Sequence, residues 1–131
     1  MITEDYVSFE IAKLLEEKGF EQHKCQHSYD SKGVFKWSDN LDPYEYSAPT
    51  LQMAMKWLRE VHHIEIYITF GFPFIDGKQQ YKYFWSIVRV CDNHLEYPMD
   101  DPGSASYNEE MADSYEEAVE AALKYCLKNL I

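Results

Sequence analysis

Three side chains that commonly bind metal ions alternate along one short stretch of this 131-residue chain: His23, Cys25 and His27. In an extended backbone, residues at i, i+2 and i+4 lie on one face of a strand, and imidazole and thiolate groups are common zinc ligands. Neighbours on one strand face are, however, roughly 6.5 to 7 Å apart, so at most two of them converge easily on one ion. The spacing allows a metal site completed by a ligand such as His62 or His63, but it favours ordinary polar side chains on a strand face.

Nucleophilic catalysis has little support in the sequence. Cys91 and His94 offer a thiol and a base. A separation of three residues at the end of a strand, however, positions such a pair poorly, and the many nearby carboxylates raise the pKa of a thiol. The glycines show neither a phosphate-loop spacing nor a Gly-x-Ser-x-Gly motif. The sequence therefore identifies no catalytic residue and predicts no cofactor.

The carboxylates are concentrated in the last third of the chain. The net charge is −11; residues 1–89 carry 10 Lys and Arg against 13 Asp and Glu, or −3, and residues 90–131 carry 2 against 10, or −8. Binding to a phosphate backbone needs basic groups that release counterions, so direct nucleic-acid binding is not expected. A protein partner with a basic surface is the electrostatically favoured one.

Two like-charged pairs in this acidic region are the candidate contacts for such a partner: Asp100, Asp101, Glu109 and Glu110. Repulsion between like charges destabilises a compact state unless a partner offsets it. The sharper hypothesis is therefore that the chain mimics a nucleic acid and that the carboxylates of residues 92–120 occupy a basic surface on a protein partner. The region lacks the spacing of an EF-hand calcium loop. The favoured alternative is an acidic loop that only keeps the protein soluble.

The hydrophobic pattern predicts seven elements in the order α-β-β-α-β-β-α. They are a helix over residues 4–18, a hairpin over 21–37, a helix from Thr50, strands over 64–70 and 81–90, and a helix from Ser114. Turn residues predict tight turns at residues 30–33 and at Asp76–Gly77. Prolines and polar residues without periodicity predict loops over residues 38–49 and 92–113. Short hairpins without crossover connections predict an α+β fold with one antiparallel four-stranded sheet and helices packed on one face.

Length and composition predict a single α+β domain over residues 1–131, long enough to bury a sizeable core. The longest apolar runs fall far short of the roughly 20 residues that span a bilayer, so no membrane contact is expected. Three cysteines without CxxC spacing indicate reduced thiols, and Cys126 falls on the apolar stripe of the last helix, where it is expected in the core. These features predict a cytoplasmic protein.

The strand over residues 81–90 is apolar on both faces. Tyr83, Trp85 and Ile87 alternate with Phe84, Val88 and Val90. Because monomers rarely leave a large apolar patch bare, the face with Tyr83 and Trp85 is expected to bind a partner, extended by Tyr67. That partner is either a second copy of the chain, giving a homodimer, or a lid formed by the two long loops.

Two further hypotheses concern the function of the aromatic side chains. Tyr44, Tyr46, Phe72, Phe74 and Tyr97 fall in predicted loops and turns, where they either bind a protein partner or cover the open sheet face. Alternatively, Tyr83 and Trp85 line the pocket of a metal- or ligand-dependent enzyme together with His23 or His27.

Three stretches carry a resemblance to a known group: the opening from Thr3 to Glu10, the helix from Thr50 to His62, and the ending from Ser114 to Leu127. They resemble a family of small uncharacterised proteins from Bacteroides-type gut bacteria and their phages, over most of the chain. The resemblance implies a cytoplasmic bacterial or prophage setting and supplies no functional residues. Together with the composition it predicts a small acidic, non-enzymatic protein-interaction module.

Overall fold

The computed structural model describes residues 5–21, 27–37, 45–96 and 111–131. Within them, the helices are α1 (Phe9–Glu17), α2 (Leu51–His62) and α3 (Tyr115–Asn129). The strands are β1 (His27–Tyr29), β2 (Phe35–Trp37), β3 (Tyr46–Ser47), β4 (Ile64–Gly71), β5 (Phe74–Ile75), β6 (Lys78–Gln79), β7 (Lys82–Cys91) and β8 (His94–Glu96). All strand pairs are antiparallel, so the predicted α+β class is confirmed. No helix of the described residues is long and apolar enough to cross a membrane.

The strands do not form the predicted single sheet of four. β1 lies between β2 and β3, β7 lies between β4 and β8, and β5 pairs with β6. Segments expected to be loops supply a third strand to each hairpin: Tyr46–Ser47 pairs with β1, and His94–Glu96 pairs with β7. Each hairpin therefore gains its third strand from a nearby segment of the chain, and not from a strand of the other hairpin.

The first helix begins later than predicted. Residues 5–8 are not helical, because the Val7 amide donates to the Pro49 carbonyl and the Leu51 amide donates to the Asp5 carbonyl, both at 3.0 Å. The chain turns helical at Phe9, after Ser8, whose hydroxyl accepts from the Ile11 amide as an N-cap.

The chain divides into two compact units, Met1–Trp57 with Leu123–Ile131, and Leu58–Ala122. Both boundaries fall inside helices, in α2 and in α3. The prediction of a single domain over residues 1–131 stays a prediction.

In the first unit, β1 pairs with β2 around the predicted turn at residues 30–33. The Asp30 carboxylate accepts from the amides of Lys32 and Val34, and Gly33 has a φ of 84°. The predicted hairpin is confirmed over residues 27–37, and residues 22–26 of the prediction lie outside the described residues. The apolar core of this unit contains Val7, Ile11, Ala12, Leu15, Phe20, Ala48, Leu51, Ala54, Met55, Leu123, Cys126 and Leu127. Burial of Cys126 in that core is confirmed.

In the second unit, β4 and β7 supply the sheet side of the core. Ile64, Ile66, Trp85 and Ile87 are buried, as are Leu58, Ala118, Val119 and Ala122 from the helices. The predicted start of α3 is confirmed, since the Glu117 amide donates to the Ser114 hydroxyl at 3.1 Å. The return contact differs from a standard capping box, because the Glu117 carboxylate accepts from the Asp113 amide.

Candidate interaction surface

One long hairpin, defined here as residues 64–89, dominates the second unit. Its two strands keep one register throughout: Ile64 faces Arg89 at one end, and Phe74 faces Gln79 at the other. Between β4 and β5 the register is preserved, because the Gln80 amide donates to the Pro73 carbonyl at 3.0 Å. The segments that the sequence separates by Pro73 therefore belong to one continuous antiparallel ribbon.

The hairpin is closed by the turn predicted from its sequence. Asp76 and Gly77 have φ angles of 52° and 79°, as a two-residue type I′ turn requires. A second turn with two left-handed residues, at Asp92 and Asn93 with φ of 46° and 65°, joins β7 to β8. Aspartate and asparagine tolerate this conformation better than most residues. The chain can therefore reverse at these two residues and return as β8, a strand that was not predicted.

Side chains directly opposite each other in an antiparallel pair lie on the same face. One face of the hairpin therefore carries Ile64, Ile66, Ile68, Phe70, Phe72 and Phe74 on its first strand, opposite Arg89, Ile87, Trp85, Tyr83, Tyr81 and Gln79. Six apolar side chains in a row on one face form a single stripe, and its two ends have opposite environments.

The stripe passes from the core to the surface. Ile64 and Ile66 are 1% and 5% exposed, whereas Phe70, Phe72 and Phe74 are 70%, 47% and 74% exposed. On the opposite strand, Trp85 is 7% exposed and Tyr81 is 67% exposed. We call Phe70, Phe72, Phe74 and Tyr81 the aromatic patch.

The aromatic patch is ordered by ring contacts across the hairpin. The rings of Phe72 and Tyr81 are stacked with centroids 4.5 Å apart, and those of Phe70 and Tyr83 are 6.3 Å apart. Tyr83 also contacts Tyr115 at the start of α3, edge to face at 6.4 Å. The patch is thus anchored to the helix through Tyr83.

Gly71 belongs to the opposite face of the same hairpin. A Cβ at this position would lie 3.2 Å from the Cε2 atom of Phe84, which is tighter than an ordinary contact. The absence of a side chain at Gly71 lets the Phe84 ring lie against the backbone.

The expected face assignment of β7 requires a correction. Trp85 and Ile87, predicted on an open face, are buried, and Tyr83 is half-buried. Tyr67, predicted to extend that face, lies opposite Ser86 on the other face and is 50% exposed. The sequence cannot show which face of a strand is buried when both faces are apolar. Contact with the rest of the core decides which face is buried.

The predicted metal ligands are only partly within the described residues. His27 lies in an aromatic cluster, stacked on Phe35 at 5.0 Å and edge to face with Trp37 at 4.9 Å. His23 and Cys25 lie outside the described residues. Among the residues described, no group of three or more His, Cys, Asp or Glu side chains could hold a metal ion, and the site at residues 23–27 stays a prediction.

A buried polar cluster lies on the β2–β1–β3 sheet, on the face opposite His27. The Ser28 hydroxyl, fully buried, donates to Glu45 Oε2 at 3.0 Å, and Lys36 forms an ion pair with the same carboxylate. Glu45 is only 6% exposed. The Lys36 charge and the Ser28 hydroxyl compensate the cost of burying this carboxylate.

Cys91 is a poor nucleophile in its observed surroundings. Its hydrogen bond to Glu96, together with partial burial, raises the pKa of the Cys91 thiol. Arg89 Nη2 lies 2.7 Å from Glu96 Oε1 and lowers the pKa of that carboxyl. Because only the thiolate attacks, these contacts disfavour thiol chemistry with His94, which faces Cys91 across the β7–β8 turn.

The four acidic candidate residues, Asp100, Asp101, Glu109 and Glu110, lie outside the described residues. The loop aromatic residues Phe72 and Phe74 are exposed as predicted, whereas Tyr46 is half-buried against Phe9, 5.7 Å away. Phe70 was missed as a surface residue, because its alternation with Ile66 and Ile68 predicts a core position. The nearby Gly71 and Pro73 were the signal that the core ends there.

Comparison with models of protein families, with characterised proteins and with solved structures finds no match to this chain. The resemblance to a Bacteroides and phage family therefore stays a prediction.

Proposed function

We propose that the protein is a small acidic, non-enzymatic protein-interaction module whose contact surface is the aromatic patch. One observation carries the proposal: a single stripe of alternating apolar residues is buried at Ile64 and Ile66 and 70% and 74% exposed at Phe70 and Phe74. The buried end accounts for folding. The exposed end has no such role in the described residues, and binding to a partner accounts for exposed aromatic rings in a charged, acidic chain.

The size of the aromatic patch supports this function. With roughly 200 Å² for an aromatic side chain, the four exposed fractions correspond to roughly 500 Å² of apolar surface. Contiguous patches of this size on monomers are often functional, and aromatic side chains are enriched in the buried centres of protein interfaces.

The acidic residues form a second proposed contact, with a basic protein surface. The charge of −8 over residues 90–131 favours it, with Asp100, Asp101, Glu109 and Glu110 as the contact residues. A cytoplasmic location in a bacterial or prophage setting belongs to the same proposal.

Affinity capture with paired variants tests the aromatic contact. Phe70→Ser with Phe74→Ser removes most of the exposed ring surface, and the matched control is Val90→Ser with Leu95→Ser, which changes side chains 53% and 57% exposed. We expect wild type and control to retain the same bound proteins, and the patch variant to lose them while keeping its melting temperature. Identical bound proteins for all three would contradict the proposal.

Salt dependence separates the acidic contact from the aromatic one. Changing the four acidic residues to Asn and Gln should remove those bound proteins that dissociate with rising salt, because exposed charge pairs are screened. Proteins held by the aromatic patch should remain. Capture of the same salt-sensitive proteins by the amide variant would contradict the basic-partner proposal.

A further inference from the structure

The hydrogen-bond pattern shows which way the backbone of the first hairpin strand faces. The Val90 amide donates to the His63 carbonyl, and the Gln80 amide donates to Pro73, so odd-numbered residues of this strand bond inward across the hairpin. Tyr83 instead exchanges both of its hydrogen bonds with Ala112, and its facing residue is Phe70. The amides and carbonyls of the even-numbered residues therefore point to the outer edge.

The outer edge presents Ile66, Ile68, Phe70, Phe72 and Phe74. No strand of the described residues pairs with it, and the Gln79 Nε2 group donates to the Phe72 carbonyl at 3.3 Å. Pro73 lacks an amide hydrogen, but its position faces Gln80 inside the hairpin, so this proline leaves the outer edge able to pair.

Charged side chains, which commonly protect an edge strand, are absent from this one. From Ile66 to Ile75 the sequence contains no Lys, Arg, Asp or Glu. The same stretch carries three of the four aromatic patch residues. Within the described part of the chain, an unpaired edge and exposed rings thus coincide.

We propose that this edge pairs with the same edge of a second copy of the chain, antiparallel about a two-fold axis at Phe70. The inference rests on the proposed function of the aromatic patch and names its partner. The axis places Phe70 opposite Phe70 of the second copy and Ile68 opposite its Phe72. The residues whose backbone amides and carbonyls point to the outer edge on both copies then form the hydrogen-bonded pairs. The side chains of these facing residues lie on one face of the joined sheet.

The charges of the hairpin permit this pairing. Residues 64–89 carry Glu65, Asp76, Lys78, Lys82 and Arg89, or +1, in a chain of −11. The hairpin therefore lacks the strong net negative charge of the chain, and two copies can meet at it without strong net repulsion. A basic partner gains nothing electrostatically at this edge, which is why a second copy is the occupant we infer. In the stated register Glu65 faces Ile75 of the second copy, so no like charges are opposed.

Pairing of the two edges places the aromatic patches of the two copies side by side on one face of the joined sheet. The two patches together expose roughly 1,000 Å², of which pairing covers the part nearest the axis. Interfaces that bury less than about 1,000 Å² are typical of weak, reversible association. Ile66 is only 5% exposed, so pairing is centred on Ile68, Phe70 and Phe72.

Sedimentation equilibrium from micromolar to millimolar concentration tests the dimer. We expect a monomer–dimer equilibrium for the wild type, and Phe70→Lys should raise the dissociation constant at least about 30-fold, because it places two ammonium groups at the axis. The control Leu95→Lys, at a position 57% exposed, should leave it unchanged. A monomeric wild type at every concentration, or a dimer that Phe70→Lys leaves intact, would overturn the inference.

Disulfide trapping tests the register independently of any effect of lysine on folding. In a chain with Cys25, Cys91 and Cys126 replaced by serine or alanine, Phe70→Cys should form a covalent dimer, since facing residues lie about 5.5 Å apart. Leu95→Cys should not. If Phe70→Cys fails to cross-link while the patch still captures another protein, the self-pairing is wrong and the proposed interaction function stands.

Discussion

Phe72 and Tyr81 stack across the long hairpin with ring centroids 4.5 Å apart and 28° between their planes, although 47% and 67% of these residues are exposed. The pair lies beyond the last core residue of its stripe and next to Pro73. Stacked rings at a surface hold each other in place before any partner arrives. Such preorganisation lowers the entropy cost of binding.

Two truncations on one stripe should differ sharply in their effect on stability. Ile66→Ala should cost about 2–4 kcal/mol, because Ile66 is 5% exposed and leaves a cavity. Phe74→Ala should cost less than about 0.5 kcal/mol, because Phe74 is 74% exposed. Urea denaturation of both variants measures the free energies of unfolding. Equal losses would mean that the exposed end of the stripe is needed for folding.

Replacing the turn glycines Gly77 and Gly33 by alanine should lower the free energy of unfolding by different amounts and for different reasons. A Cβ at Gly77 would meet nothing within 4 Å, so Gly77→Ala should cost about 1 kcal/mol from its φ of 79° alone. Gly33→Ala should cost more, because its Cβ would also lie 3.1 Å from the Phe9 ring. Thermal unfolding of the two variants compares them, and a smaller loss for Gly33→Ala would show that Phe9 moves away freely.

Removal of the lysine that pairs with a buried carboxylate should destabilise the first unit. Lys36→Met should cost about 1–2 kcal/mol at neutral pH, because it removes the ion pair to a carboxyl group that is 6% exposed. The matched control is Lys32→Met in the adjacent exposed turn, which should change stability by less than about 0.5 kcal/mol. If both variants unfold at the same urea concentration, the Lys36 ion pair contributes nothing measurable.

Stability should fall as the pH drops below neutrality, partly through His62. Burial, and secondarily the charge of His63, lowers the pKa of His62 below its ordinary value of 6.5. The unfolded chain then binds the proton more readily, so this contribution is present above pH 6.5 and is lost as pH falls through the folded pKa. Melting temperatures across this range should depend less on pH in His62→Gln than in the wild type, and an unchanged slope would show that burial of His62 does not contribute.

Local signals predicted most of the elements. Alternation identified β4 and β7, the Asp76–Gly77 pair identified their turn, and Ser114 identified the start of α3. Each signal acts within a few residues, through backbone geometry or a cap. Strands β3 and β8 were missed, because two or three residues are too few to show a period and only pairing with β1 and β7 makes them strands.

By itself, the sequence determined that this is an acidic α+β protein whose β4–β7 hairpin carries apolar residues on both faces, because period, turn residues and charge are properties of neighbouring positions. Only the tertiary structure decided which face of that hairpin is core and where along it the core stops. Ile66 and Phe70 share a face and a pattern, yet one is 5% and the other 70% exposed. The difference arises from whether other elements cover each residue, and such contacts join positions far apart in the chain.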